Sequence, residues 1–533
     1  LILKKPKGVQ CGILYIRHID KNRKGDLYMN NNANLLTLYS LLSQIELYKH
    51  TIEVLNYDME TAVPPKGMID DADGISFFSA KIFEIEKSAD YIDAVTSLYQ
   101  NDLATLDEYN KRLVTLLYRN IEKDKKVTPE LHQEMTKLFN EAYITWIDAK
   151  AKNSYPIFKN TLKNIADIEK KRISLRDNYN PQKPYDSLFS DYEEGFDSED
   201  LDQFFDELEK GIVPLVKKIK NSNYTPRHDF LHRPVSISKQ ERFSKELLKF
   251  NGFDFERGSL STTEHPFTAQ LSYNDTRVTT HYYETNFISN MYSIIHEGGH
   301  ALFGQNIPEE VFTKHLGEGS LSMAKHESVS RFYENVIGRS KEYIHAIYPL
   351  FKEIFSEEFS DVSEQDLYEG VNYVDLNNSI RTEADELTYS LHIIIRYRLE
   401  KKILEGKADI EHLDQEWNLL TKEILDIDNI DASTGILQDV HWTSGFGYFP
   451  TYALGNALNC IYVKRMCKEI DFNKVVSEGK MNIILNWMKE NVFKKASLLD
   501  TKEWIENISG ESFSAKDYID YLTAKFSEIY HLN

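Results

Sequence analysis

His296-Glu297-Gly298-Gly299-His300 is the stretch of this 533-residue sequence whose residue types and spacing could do chemistry. On a helix, positions i and i+4 point the same way about one 5.4 Å turn apart, so both imidazoles can bind one metal ion at about 2.0–2.1 Å. Glu297 then faces the same cavity from the side. This H-E-x-x-H pattern is a zinc-hydrolase signature, in which the carboxylate serves as general base toward a metal-activated water. The competing reading is a surface helix with accidental spacing. Against it, Ile288, Met291, Ile295 and Leu302 follow helical spacing, and Phe287, Ile294 and Phe303 broaden the stripe into a buried amphipathic helix. Two glycines inside a helix each cost about 1 kcal/mol relative to Ala, which suggests close approach of something to the backbone at Gly298 and Gly299.

Two histidines leave a catalytic zinc one protein ligand short. The extended signature H-E-x-x-H-x-x-G-x-x-H fails, because Phe303 and Asn306 stand where Gly and His are required. Within the next forty residues the choices are His315, Glu318, His326, Glu327 and Glu334. Spacing makes Glu327 the best of several: its helical phase groups Glu327, Arg331 and Glu334 on a second helix that can pack across the first. A carboxylate there gives the two-His, one-Glu set known in zinc peptidases. His326 reads better as a core histidine or as support behind a ligand.

The elements that must position these groups are overwhelmingly helical. Periodic stretches at 36–56, 78–100, 105–122, 128–152 and 155–176 are separated by short polar breaks, with turns at Pro64-Pro65 and between Pro181 and Pro184. Val235-Ser236-Ile237-Ser238 alternates like a strand, and 266–285 reads extended, so a small sheet is expected beside the motif helix, where a substrate backbone can pair with its edge. The 41% hydrophobic content suffices for a large core. A net charge of −21 disfavours nucleic acid as a partner, and no apolar run reaches the eighteen residues of a membrane span. Cys11, Cys460 and Cys467 are too few for a disulfide framework, which points to a reducing, cytoplasmic setting. Residues 1–28 carry seven Lys/Arg against two Asp and lack an initiator Met; they read as a non-native or mis-assigned leader, with Met29 as a plausible start and 29–533 as one domain. A basic targeting segment is the competing reading.

Further blocks carry a resemblance. His265-Pro266-Phe267, Asp275-Thr276-Arg277-Val278-Thr279, the H-E-G-G-H, His326-Glu327-Ser328, Ile380-Arg381-Thr382-Glu383-Ala384-Asp385-Glu386 and Gly435-Ile436-Leu437-Gln438-Asp439-Val440-His441-Trp442 occur in that order. From about Leu36 onward the chain resembles the thermostable, Taq-type metallocarboxypeptidases of bacteria and archaea. Tyr57 stands where that family's opening pattern has Trp. The resemblance implies Glu327 as third ligand, zinc as the metal with cobalt as a possible substitute, one helical domain with a deep substrate groove, a homodimer, and removal of single residues from peptide C-termini with broad side-chain tolerance.

An exopeptidase must recognise the terminal carboxylate, and a buried guanidinium does so with two charge-assisted hydrogen bonds. The resemblance associates Arg381, Arg277 and the His441 block with the closed end of the groove, and Arg381 is ranked first. Arg381 is expected on a long helix with Ala384, Leu387, Leu391 and Ile394 on its apolar face; its alternative role is a salt bridge to Glu383, Asp385 or Glu386. His441 is expected to donate to the oxyanion formed as water adds, or else to be a core histidine packed on Trp442. Tyr448 and Tyr452 are lower-ranked donors. Gln438 and Asp439 are expected to orient His441 or the ligands, and His265 to line the groove. Two rival functions remain: an oligopeptide-cutting zinc endopeptidase without a carboxylate anchor, and an inactive peptide-binding scaffold. The intact His296, Glu297, His300 and Glu327 argue against the second. No G-x-S-x-G elbow, P-loop or dinucleotide fingerprint occurs.

Overall fold

Asn32 begins the first helix by accepting the backbone N–H groups of Asn34 and Leu35 through its side-chain oxygen, and α1 (Ala33–Thr61) follows. The computed structural model describes residues 32–317, 320–428 and 430–532, so the leader proposed at 1–28 and the candidate Glu318 lie outside the described residues. After Pro64-Pro65 the chain reverses into α2 (Met68–Glu86), a helix without one buried residue that packs along α1. The stretch 78–100, expected as one helix, is interrupted at Lys87-Ser88. There Ser88 Oγ accepts the N–H of Tyr91 and starts a new helix at Ala89. α3 (Pro129–Ala151) and the helix Tyr155–Ser174 follow the sequence periodicity closely.

The strand-like reading of Val235–Ser238 does not hold. Ile237 opens α4 (Ile237–Asn251), because the longer helical period that buries Phe243, Leu247 and Leu248 overrides a four-residue alternation. The extended segment at 266–285 does contain two strands, β2 (Thr268–Ser272) and β3 (Asp275–Thr280), preceded by β1 (Gly258–Thr262). The strand order is β1-β3-β2, with β1 parallel and β2 antiparallel to β3. β1 escaped the sequence reading because Leu260 is its only large apolar residue.

β3 packs on α5 (Phe287–Asn306), the helix that bears the H-E-x-x-H. Asn286 caps it through the N–H of Ser289, and Asn290 ties it to β3 by donating to Thr280 Oγ1 at 2.9 Å. α5 is buried on nearly every side, by α4, the sheet and α6 (Met323–Arg331), which continues into a π-helical turn at Phe332–Ile337. α7 (Tyr389–Leu404) and α8 (Pro450–Met466) complete the surroundings, and α8 packs along α6. Among the described residues the fold is mainly α with one small sheet beside the motif helix, and their apolar core is a single network running from Leu35 to Tyr530, with a satellite around Leu131, Met135 and Ile168. Among the described residues, no helix is long and apolar enough to cross a membrane.

Candidate active site

The glycines of the motif allow its helix to be approached. A Cβ on Gly299 would lie 2.8 Å from the Cα of Ser330, and one on Gly298 would lie 2.8 Å from Leu248 Cδ2. Gly299 therefore lets α6 pack backbone to backbone on α5. From the other side, a Cβ on Gly455 of α8 would meet Glu327 Cγ at 2.8 Å, so α8 also presses on the Glu327 side chain.

This packing gathers His296, His300 and Glu327. Glu327 Oε2 lies 3.6 Å from Nε2 of each histidine, and the three donor atoms lie within 4.8 Å of one another. Atoms bound to one tetrahedral ion at about 2.0–2.1 Å stand about 3.3–3.5 Å apart, so the set fits a divalent cation with little adjustment. The remaining ring nitrogens are occupied. His296 Nδ1 pairs with Glu334 Oε2 at 2.8 Å, and His300 Nδ1 with His326 Nδ1 at 2.6 Å, which leaves both Nε2 atoms turned to Glu327. His326 thus stands behind His300, as expected, while His315 pairs with Glu46 at 2.5 Å. Burial alone would raise the Glu327 carboxyl, but Arg331 and the two histidines hold it well below the usual carboxylate range, so it is ionised.

Glu297 is buried beside this set and stays out of it. Thr268 Oγ1, on β2, contacts Glu297 Oε2 at 2.7 Å and its carbonyl oxygen at 2.8 Å, which fixes the carboxylate from the sheet side. The rings of His296 and His300 keep 18% and 17% of their side-chain surface open, so the site is reachable from solvent.

A second cluster forms around Asp439. Arg381 gives Nε and Nη2 to Asp439 Oδ1 at 3.0 and 2.7 Å, and Arg396 gives Nε to Oδ2 at 2.7 Å. Two guanidiniums around one carboxylate leave one positive charge over, and they hold Asp439 far below its ordinary value despite its burial. Arg381 is not on the long helix. Asp385 accepts the N–H groups of Leu387 and Thr388 in a turn ahead of that helix, α7 starts only at Tyr389, and Arg381 sits on a short 3-10 turn before it. Nor does Arg381 pair with the neighbouring acids; Glu386 instead binds Lys525 at 2.6 Å.

Gln438 does not orient His441. Its Oε1 accepts the N–H of Arg381 at 2.7 Å and its Nε2 donates to the carbonyls of Ser379 and Thr434, so it clamps the Arg381 turn. Asp439 lies 4.0 Å from His441 Nδ1, too far for a hydrogen bond. His441 packs on Phe449 and Tyr448, and its Nε2 reaches Tyr452 Oη at 3.3 Å. Trp442 turns away, donating to Glu400 at 2.8 Å. Burial, helped by Arg381 and Arg396, lowers the His441 ring to about 4, so it is neutral near pH 7. Tyr448 is half-buried, and the charge of Glu327 adds to its burial in raising its hydroxyl.

Tyr389 joins the two clusters. Its hydroxyl accepts from Arg381 Nη1 at 2.8 Å, and the Arg331 guanidinium lies 4.5 Å from its ring centre. Tyr389 and Thr268 were both missed in the sequence, since neither sits at a telling distance from a motif. Two expected residues stand elsewhere. Arg277 is on β3, bound to Asp275 at 3.0 and 2.9 Å and stacked on Tyr57 of α1, on the strand face opposite Val278. His265 is exposed on the loop between β1 and β2.

The geometry is that of a metal-dependent hydrolase, and similarity to known proteins decides which. The family described as Carboxypeptidase Taq (M32) metallopeptidase matches residues 37–526. This chain belongs to that family. Carboxypeptidase 1 of Bacillus subtilis (strain 168) is 35% identical over 496 residues, covering 93% of this chain and 98% of its own. Thermostable carboxypeptidase 1 of Pyrococcus furiosus is 32% identical over 499 residues, covering 93% and 99%. The crystal structure of an M32 carboxypeptidase from Deinococcus radiodurans R1 superposes with a TM-score of 0.89 at 28% identity, over 94% of this chain and all of that one. As a member of the M32 metallocarboxypeptidases the chain is a hydrolase, and the family implies a divalent metal, for which the His296, His300 and Glu327 donors are suited.

Proposed function

We propose that the chain is a zinc-dependent carboxypeptidase that removes single amino acids from peptide C-termini with broad specificity. The observation that carries this reading is the convergence of His296 Nε2, His300 Nε2 and Glu327 Oε2, with Glu297 beside them and outside the donor set. Held by His296, His300 and Glu327, Zn²⁺, or Co²⁺ in its place, would supply Lewis acidity and make water nucleophilic near neutral pH. Glu297 accepts the proton of the attacking water and passes it to the departing amine, and the Thr268 hydroxyl keeps its carboxylate oriented. His441, neutral and paired with Tyr452, is the donor for the developing oxyanion, with Tyr448 beside it. Arg381 binds the terminal carboxylate of the substrate. The surplus positive charge of the Arg381–Asp439–Arg396 group supports this role, and Gln438 and Asp439 hold the guanidinium in place. Arg277 and His265 are assigned a peripheral part in binding, since one is engaged by Asp275 and the other lies on a loop.

A homodimer belongs to the same reading: Met68, Ile69, Phe77 and Phe83 are exposed on α2, Ile69 at 71%, and a second copy would cover them. The free thiols of Cys460 and Cys467 support a reducing, cytoplasmic setting. The test is mass spectrometry of a peptide incubated with zinc-loaded protein. Stepwise loss of C-terminal residues, with the amidated peptide spared, is expected; internal fragments would make the enzyme an endopeptidase.

A further inference from the structure

Glu327 has two carboxylate oxygens, and only Oε2 faces the histidines. The other, Oε1, accepts Arg331 Nε at 2.7 Å. The same guanidinium donates from Nη1 to Glu334 Oε2 at 3.0 Å, and that oxygen also pairs with His296 Nδ1 at 2.8 Å. One face of the guanidinium is covered by the ring of Tyr389. Glu334 lies three residues beyond Arg331, in the π-helical turn that follows α6.

An ordinary helix pair at these spacings lies on the surface and contributes about 0.3–0.5 kcal/mol. Here all three side chains are at most 15% exposed, and a cation is held next to a site built for another cation. Coulomb repulsion disfavours that arrangement, so packing alone does not account for it. What the guanidinium provides is direction: a planar fork with separate donors can fix two carboxylates at once, which a lysine ammonium cannot do.

We propose that Arg331 is the positioning residue of the metal centre, holding Glu327 Oε1 out of coordination so that the carboxylate offers one oxygen, and fixing through Glu334 the His296 tautomer whose Nε2 faces the metal. This rests on the ligand set given under the proposed function. Freed from Arg331, Glu327 can turn both oxygens to the ion and raise its coordination number.

The visible absorption of the protein loaded with Co²⁺ alone reads this directly, because cobalt d–d bands lose intensity as four-coordinate sites become five- or six-coordinate. Arg331→Met is expected to lose band intensity relative to the wild type, and Arg331→Lys to lose it as well, since restoring the charge does not restore the fork. Should Arg331→Met not fold, Arg331→Lys carries the test alone, and its loss of band intensity is the expected result. An unchanged cobalt spectrum in the folded variants, with only thermal stability lowered, would reduce Arg331 to a buried ion pair. Full rescue by Lys would overturn the directional role in favour of charge alone. A wild type that takes up no cobalt would instead refute the ligand set beneath the proposal.

Discussion

At the scale of single residues, roles separate by what each side chain touches. Glu297 is held by Thr268 and lies outside the converging donor set, so Glu297→Gln is expected to keep its metal while turnover falls by about 10²–10⁴-fold, measured as metal content alongside steady-state rates. Arg381→Met is expected to lower kcat/KM on the order of 10²-fold for peptides with a free C-terminus, chiefly through KM, and to narrow the preference for free over amidated peptides. A loss in kcat alone, with KM and that preference unchanged, would make Arg381 a structural partner of Asp439. The clustering of His296, His300 and Glu327 was legible in part: H-E-x-x-H encodes its own geometry in a single helix, while spacing left Glu327 the best of several candidates and the family resemblance singled it out. Thr268 and Tyr389 were not legible, since each acts through a contact made only when separate segments meet. The contacts of Gln438 were hidden for the same reason: its amide is engaged by the backbone around Arg381, which no spacing rule reveals.

At the scale of elements, the site depends on the approach of α5 and α6. Gly299→Ala would drive a methyl toward Ser330 Cα, and a destabilisation of about 1–3 kcal/mol is expected from forcing the helices apart. Thermal unfolding measures the first effect and chelator competition the second, because the same movement pulls Glu327 from the histidines. Unchanged metal retention at a lowered melting temperature would uncouple the helix contact from the centre. Long helices were legible wherever a period of 3.6 ran for fifteen residues or more. Their ends were not: Ser88 divides one stretch by a cap and Asp385 holds a turn ahead of another, both through local side-chain hydrogen bonds that leave the apolar pattern unbroken. β1 is nearly featureless in sequence and exists because β3 offers it a parallel partner.

At the scale of the whole molecule, Glu400 ties the Trp442 and Gly447 segment to α7. It accepts from Trp442 Nε1 at 2.8 Å, Gly447 N at 3.0 Å and Tyr185 Oη at 3.0 Å. Burial raises its carboxyl from 4.5 to about 7, so the folded chain holds this proton more tightly than the unfolded chain. The resulting stability is fully present below about pH 4.5 and is lost as pH rises through about 7. Glu400→Gln is expected to remove a pH-dependent difference on the order of 2–3 kcal/mol between those limits, seen by urea unfolding at each pH; parallel curves for variant and wild type would contradict it. The proposed function rests on a single ion held between α5 and α6 by His296, His300 and Glu327. Anomalous diffraction at the zinc edge from zinc-soaked crystals tests that claim most directly. One peak per chain is expected, about 2.0–2.1 Å from His296 Nε2, His300 Nε2 and Glu327 Oε2. A peak elsewhere, or none with these side chains in place, would contradict the account.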